Sequence, residues 1–316
     1  MDNKKIITVF GATGAQGGGL ARAILADKNS EFKVRAVTRD ASSEKAKALQ
    51  QLGAEVVTAN IDYAGSIKNA LEGAYGAFFV TFFWDHFSAE KEVEEVSNFV
   101  TAAKESNLKH IIWSTLEDTR NWVPLDDDRM PTLNGKYKVP HFDGKGAADQ
   151  LYTQAGLPTT FLRTSFFWDN FVYFGMGPKK ADDGNYYIAF PMDDKKLCGI
   201  ASEDIGKCAY GIFKKGISEV GKTIGIAGEK LSGYEMAAKM SAALGKNVIF
   251  NNVTPEMYRG FGFPGADDLG NMFQFKRDFN DDFNGVRNID YAVSLNPELK
   301  SFDKWLSVNA SRIPLA

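Results

Sequence analysis

Two cysteines and three histidines are all the thiols and imidazoles in 316 residues. Cys198 and Cys208 stand ten positions apart and make neither a disulfide framework nor a zinc ligand set. The scarcity predicts no metal, and reduced, partly buried thiols suited to an intracellular compartment. Long apolar runs are missing, and the polar start Met1–Lys5 has no signal-peptide pattern, so no membrane span is expected. The expected location is the cytoplasm, with the nucleus as a second place. A basic excess is missing too. The 37 Lys+Arg against 40 Asp+Glu leave a net charge of -3, which argues against direct nucleic-acid binding. There are no repeats, no low-complexity tracts and no G-x-S-x-G hydrolase elbow.

What the chain does have is alternation. Ile6–Phe10, Phe32–Val37, Ala54–Ala59, Ala77–Thr81, His110–Ser114 and Pro158–Arg163 read as buried strands. Helices over Gly18–Asp27, Ser42–Leu52, Ser66–Leu71, Ser88–Ser106 and His141–Gln154 fall between them. In the fourth, Val93, Val96, Val100 and Ala103 form an apolar stripe, and Glu90, Glu92, Glu94 and Glu95 read as mostly away from it. This order predicts an α/β fold, a doubly wound parallel sheet of Rossmann type, with its ligand crevice at the carboxyl end of the first strand. Turn chemistry between Glu117 and Pro140 predicts a surface loop or lid.

Beyond Arg163 the pattern is less regular. Ile200–Ile212 reads as a return to the sheet with Ser202 as a helix N-cap. Thr223–Ala227 and Asn247–Asn252 read as strands flanking a helix over Gly233–Leu244. Thr254–Pro255 and Asn296–Pro297 read as helix starts. The expected division is a Rossmann domain over 1–165, with 195–228 returning to it. A smaller α/β C-terminal domain would take 166–194 and 229–316.

The chemistry starts at Gly11-Ala-Thr-Gly14-Ala-Gln-Gly17, between an apolar strand and a helix. A dinucleotide pyrophosphate needs close backbone approach and free N–H groups at a helix N-terminus, and this loop provides both. The second strand ends in Thr38-Arg39-Asp40. Arg39 can fork onto a 2′-phosphate, with Lys45 or Lys47 as secondary charge, which favours NADP(H). Asp40 is the competing feature, because an acid there serves NAD.

VFGATGAQGGGLAR at 9–22, FKVRAVTRD at 32–40, VPHFDGKG at 139–146, FFWDNF at 166–171 and GFPGADDLGNMFQF at 262–275 carry a resemblance. Over nearly its whole length the chain resembles the NmrA-like family, atypical short-chain dehydrogenase/reductases, above all its animal-type members described as NADP(H) redox sensors. The resemblance implies that Gly11, Thr13, Gly14, Ala15, Gln16 and Gly17 cradle the pyrophosphate. It implies that Arg39 takes the 2′-phosphate and that Asn60 and Ile61 flank the adenine. Thr81, Phe82 and Phe83 would line the nicotinamide ribose, Lys145 would bond it, and Phe167 with Asn170 would close the far side. Ser43 departs from the family, which carries a basic residue there.

Ordinary short-chain dehydrogenases use Tyr-x-x-x-Lys on one helix face. Here the matching positions are His141 and Lys145, and Ser114 stands at the helper-serine position; Tyr137 misses the motif position. Three readings stay open: His141 as general acid, Lys145 as proton donor, or a site that binds cofactor without turnover. Phe82, Phe83, Trp84 and Trp168, at strand carboxyl ends, are candidates to wall a pocket for a flat substrate. The missing tyrosine and the resemblance put a regulatory NADP(H) sensor first. Cofactor occupancy would order the loops near Arg39 and Trp84 and change a protein-binding surface, with a regulatory protein or a second copy as partner. The segment 262–275 is a candidate for that surface. The alternative is an NADPH-dependent reductase of quinones or small carbonyl compounds.

Overall fold

The computed structural model describes residues 4–315. In the first half β1 (Lys5–Val9), β2 (Phe32–Thr38), β3 (Glu55–Thr58), β4 (Gly76–Phe79), β5 (His110–Thr115) and β6 (Thr159–Arg163) alternate with helices. Those helices are α1 (Ala15–Ala26), α2 (Glu44–Gln51), α3 (Ala64–Leu71), α4 (Ala89–Lys104) and α5 (Pro140–Gln154). Then follow β7 (Phe166–Phe167), α6 (Asn170–Tyr173), β8 (Lys179–Lys180), β9 (Tyr186–Ala189), β10 (Leu197–Ile200), α7 (Ser202–Lys215) and β11 (Thr223–Gly225). The chain closes through β12 (Glu229–Leu231), α8 (Gly233–Leu244), β13 (Val248–Asn251), α9 (Pro255–Arg259), α10 (Ala266–Asp278), α11 (Asn280–Val286), α12 (Ile289–Leu295) and α13 (Phe302–Asn309).

Seven strands form one parallel sheet in the order β11-β6-β5-β4-β1-β2-β3. The doubly wound Rossmann expectation is met. The strand order reverses at β1, so the crevice opens above β1 and β4. Alternate strand residues feed two cores. Ile7, Val9, Phe78 and Ile112 pack against α1 and α7. Phe10, Phe79, Ile111 and Trp113 pack against α3, α4 and α5.

Two three-stranded sheets, β12-β10-β7 and β13-β9-β8, lie in the later half with a third, aromatic core. Several expectations need correction here. The strand at 197–200 joins the second sheet, whereas α7 packs on the large sheet and β11 extends it. Ser202 is the first residue of α7, and its N–H is capped by Asp169 Oδ2 at 2.8 Å. Asn296–Pro297 opens a turn, where the Glu298 N–H donates to Asn296 Oδ1 at 3.2 Å; the final helix is capped by Ser301. Trp168 packs at a tilt against Phe302 and Trp305 in the core, not in a pocket. Cys198 and Cys208 are fully rather than partly buried, and burial pushes the Cys198 thiol up to about 11.

The segment 117–140 is not a free lid. Val123, Met130 and Val139 are buried, and Asn271 Nδ2 donates to the carbonyls of Pro131 (2.9 Å) and Lys138 (2.5 Å). Gln274 Nε2 adds a bond to Arg129 O at 2.6 Å. Asp143 accepts from the backbone N–H groups of Thr119, Lys138 and Val139. The segment is a packed strap, because its turn residues alternate with apolar anchors. No helix among the described residues is long and apolar enough to cross a membrane.

Candidate active site

The glycine loop is a backbone cradle. Gly11 has φ +63, and a Cβ there would sit 2.9 Å from Val80 Cγ1. Helix α1 starts at Ala15 with no side-chain cap and no acid in its first turn. Its first intrahelical bond runs from Gly18 N to Gly14 O, so the N–H groups of Ala15, Gln16 and Gly17 are unused by the helix. Gly11, Gly14 and Ala15 are exposed and Thr13 is half-buried. Gly17 has a different duty: a Cβ there would meet the Gly11 carbonyl oxygen at 2.5 Å. The cradle fits a pyrophosphate, with its positive helix end open and unscreened.

At the end of β2, Arg39 is 82% exposed and reaches across the crevice to Asp85, Nη1 to Oδ2 at 2.9 Å. Asp40 is occupied differently: its Oδ1 accepts from the Ser42 N–H at 2.8 Å and the Ser42 hydroxyl at 2.6 Å, and these bonds hold its carboxyl below the usual range. Ser43 caps α2. Past β3, Asn60 folds into a turn by accepting from the Asp62 N–H at 2.9 Å, and the Ile61 carbonyl is held by Asn98 Nδ2 at 3.1 Å. These residues lie together past the carboxyl ends of β2 and β3.

The other end is built around a partly buried cation. Lys145 Nζ donates to Thr81 Oγ1 at 2.6 Å and to Glu92 Oε1 at 2.7 Å, and lies 4.9 Å from the Trp113 ring centroid. Thr81 also donates to Glu92. Glu92 is fully buried on the core face of α4 and Glu95 nearly so, which corrects their reading as mostly turned away from the core-facing stripe. Burial, then the Glu92 charge, pushes the Glu95 carboxyl up to about 7; His86 Nε2 stands 3.7 Å from it. Ser114 Oγ donates to Gln16 Oε1 at 2.7 Å, tying the helper-serine position to the glycine loop.

His141, in the first turn of α5, is held by Asp268 at the start of α10. The carboxylate accepts from the His141 backbone N–H at 3.1 Å and pairs with ring Nδ1. Nε2 is thereby left for a ligand, and His141 lines a cavity of about 830 Å³. Lys145, Gln16, Thr81 and Asn170 also line it, and Phe82, Phe83, Trp84 and Phe167 supply aromatic wall. Phe87, Phe174, Phe261 and Phe263 stand exposed at its rim.

Three residues of this site were not singled out from the sequence: Glu92, Asp268 and Lys276. Asp268 lies inside the 262–275 segment that carried the resemblance, and that segment turns its Phe273 and Phe275 into the core. Glu92 sits one turn before Val96 on the same helix face, a position that helical spacing assigns to the core. Tyr137 is buried in the strap and takes no part.

The sequence pattern of the NmrA-like family matches residues 3–309. An NmrA-like family domain-containing oxidoreductase of Malbranchea aurantiaca is 30% identical over 260 residues, 77% of this chain and 74% of that one. The fold is similar to that of NmrA, a negative transcriptional regulator, in complex with NADP (TM-score 0.78, 24% identity, 97% of this chain and 95% of that one). It is also similar to triphenylmethane reductase of Citrobacter sp. complexed with NADP(H) (TM-score 0.75, 18% identity, 97% and 99%). This chain belongs to the NmrA-like family.

Proposed function

We propose that the protein is an NADPH-dependent reductase of flat aromatic or conjugated carbonyl compounds, quinones among them. The observation that carries the reading is the aromatic cavity, which holds Lys145 and the Asp268-paired His141 in its wall. The cavity runs on from the residues expected at the cofactor, Gln16, Thr81 and Lys145, to the rings of Phe142, Phe166 and Tyr258, which favours a second, aromatic ligand next to the cofactor. The names of the fungal relatives as oxidoreductases support the same reading. NADP is favoured over NAD because Arg39 is exposed, whereas the Asp40 carboxylate is taken by Ser42.

NADPH held by the cradle would supply the hydride. Carbonyl reduction then needs one proton at oxygen, and His141 Nε2 delivers it while Asp268 steadies the imidazolium. Lys145 is held in place by its ion pair with the buried Glu92 carboxylate. It orients the cofactor ribose and provides a fixed positive field. The sensor reading keeps one observation of its own. The Arg39–Asp85 pair joins the 2′-phosphate seat to the turn bearing Phe83 and Trp84, so cofactor arrival can reset that turn.

The test joins calorimetry with NADPH, NADP+, NADH and NAD+ to NADPH oxidation with a quinone panel. Arg39→Ala is expected to remove a tenfold or larger preference for NADP(H), about 1.4 kcal/mol per decade. His141→Ala is expected to lower kcat by about 100-fold or more with cofactor binding retained. Tight NADPH binding without turnover on any quinone would sink the reductase and leave the sensor.

A further inference from the structure

Lys276 is the least expected group in the cavity wall. It stands on α10, is 3% exposed, and lines the cavity from below. Four phenylalanine rings box its ammonium: Phe283 at 5.1 Å, Phe142 at 5.3 Å, Phe273 at 5.8 Å and Phe166 at 6.0 Å. Its hydrogen-bond contact is the Met272 sulfur at 3.2 Å, a weak acceptor. Glu117, the carboxylate whose charge it feels, is committed to Arg287 through two bonds, at 2.5 and 3.1 Å. The remaining facing groups are the Arg287 guanidinium, which repels it, and the buried Cys198 thiol. Burial, with Arg287 second, lowers the lysine to about 7.

A buried donor with three N–H bonds and no oxygen acceptor is costly unless something else supplies one. The rings leave the cavity as the source. We propose that Lys276 anchors the substrate, donating to a carbonyl or carboxylate oxygen carried by a flat aromatic ring that lies among Phe142, Phe166 and Phe283. This deepens the reductase reading and rests on it: the reacting carbonyl faces His141, and a second oxygen faces Lys276. The preferred substrates are then aromatic compounds with two oxygen functions, such as quinones or aromatic keto acids.

The experiment is equilibrium binding to the NADP+-loaded protein, which cannot reduce a ketone, read by tryptophan fluorescence. Three probes share one ring: 2-naphthoate, 2-acetylnaphthalene and 2-ethylnaphthalene. At least one oxygenated probe is expected to bind tenfold or more tightly than 2-ethylnaphthalene, and Lys276→Met is expected to erase that margin while leaving 2-ethylnaphthalene within twofold. Lys276→Gln keeps a donor without charge. A margin lost only for naphthoate in this variant identifies a carboxylate, and one kept for acetylnaphthalene identifies a carbonyl. Equal affinities in the unsubstituted protein, no binding of any probe, or a margin that survives Lys276→Met each overturn the proposal. The margin is read without turnover. A protein that shows it but oxidises no NADPH retains the anchor and loses the reductase; turnover with no margin does the reverse.

Discussion

Glu92 and Glu95 show what single residues do to this site. Both lie on the core face of α4, and only Glu92 has a cation at bonding distance. The raised Glu95 carboxyl has a definite pH consequence. Its folded value of about 7 exceeds the ordinary 4.5, so the folded state holds this proton between those values while the unfolded chain has released it. Stability is therefore lost as pH rises from about 4.5 to 7 and stays lower above that. Glu95→Gln is expected to remove this slope. Urea unfolding should find the variant more stable by about 1–2 kcal/mol at pH 8 and little different at pH 4. An unchanged pH profile would contradict the assignment. At this scale the glycine cradle, Arg39 and Lys145 were legible, because a motif at fixed spacing names them. Glu92, Asp268 and Lys276 were not, since a buried charge on a helix looks like any polar residue until its neighbours are known.

At the scale of elements, α1 and α7 pack almost backbone to backbone. A Cβ on Gly206 would lie 2.5 Å from the Gln16 carbonyl oxygen, and one on Gly19 would collide with the Glu203 backbone. The cradle is thus held from behind by a second helix. Gly206→Ala is expected to push the helices apart and destabilise by about 2–4 kcal/mol. It should also weaken NADPH binding, because Gln16 belongs to the loop. Thermal unfolding and calorimetry on one sample check both. The first six strands and five helices were readable to within a few residues, since strand–helix alternation and helical spacing are local signals. Asn296–Pro297 shows the limit. The same cap-plus-proline pair that opens α9 makes only a turn there, because α12 ends immediately before it.

For the whole molecule, one of the joins between the large sheet and the later half is a buried ion pair. Glu117 follows β5, and Arg287 follows α11; the guanidinium also donates to the carbonyls of Thr164 and Phe283. Burial works to raise the Glu117 carboxyl, and Arg287 overrides it and holds it low. Arg287→Met strands a buried carboxylate and is expected to cost about 3–5 kcal/mol. Adding Glu117→Gln is expected to recover much of that loss, which denaturant midpoints for the two variants will show. The later half was the least legible part. Its strands are two to four residues long, too short for a periodic pattern, and its core of Trp168, Phe302 and Trp305 assembles from distant segments.

The two ends of the crevice are written in different materials. One is main chain, where Gly11 and Gly17 tolerate no side chain, so its vocabulary is closed. The other is a collar of partly exposed rings, Phe87, Phe174, Phe261 and Phe263, at the cavity mouth. On the proposed reductase reading, drift in this lineage can rewrite what is reduced without touching what supplies the electrons, and a laboratory that wants a new substrate should mutate the collar first.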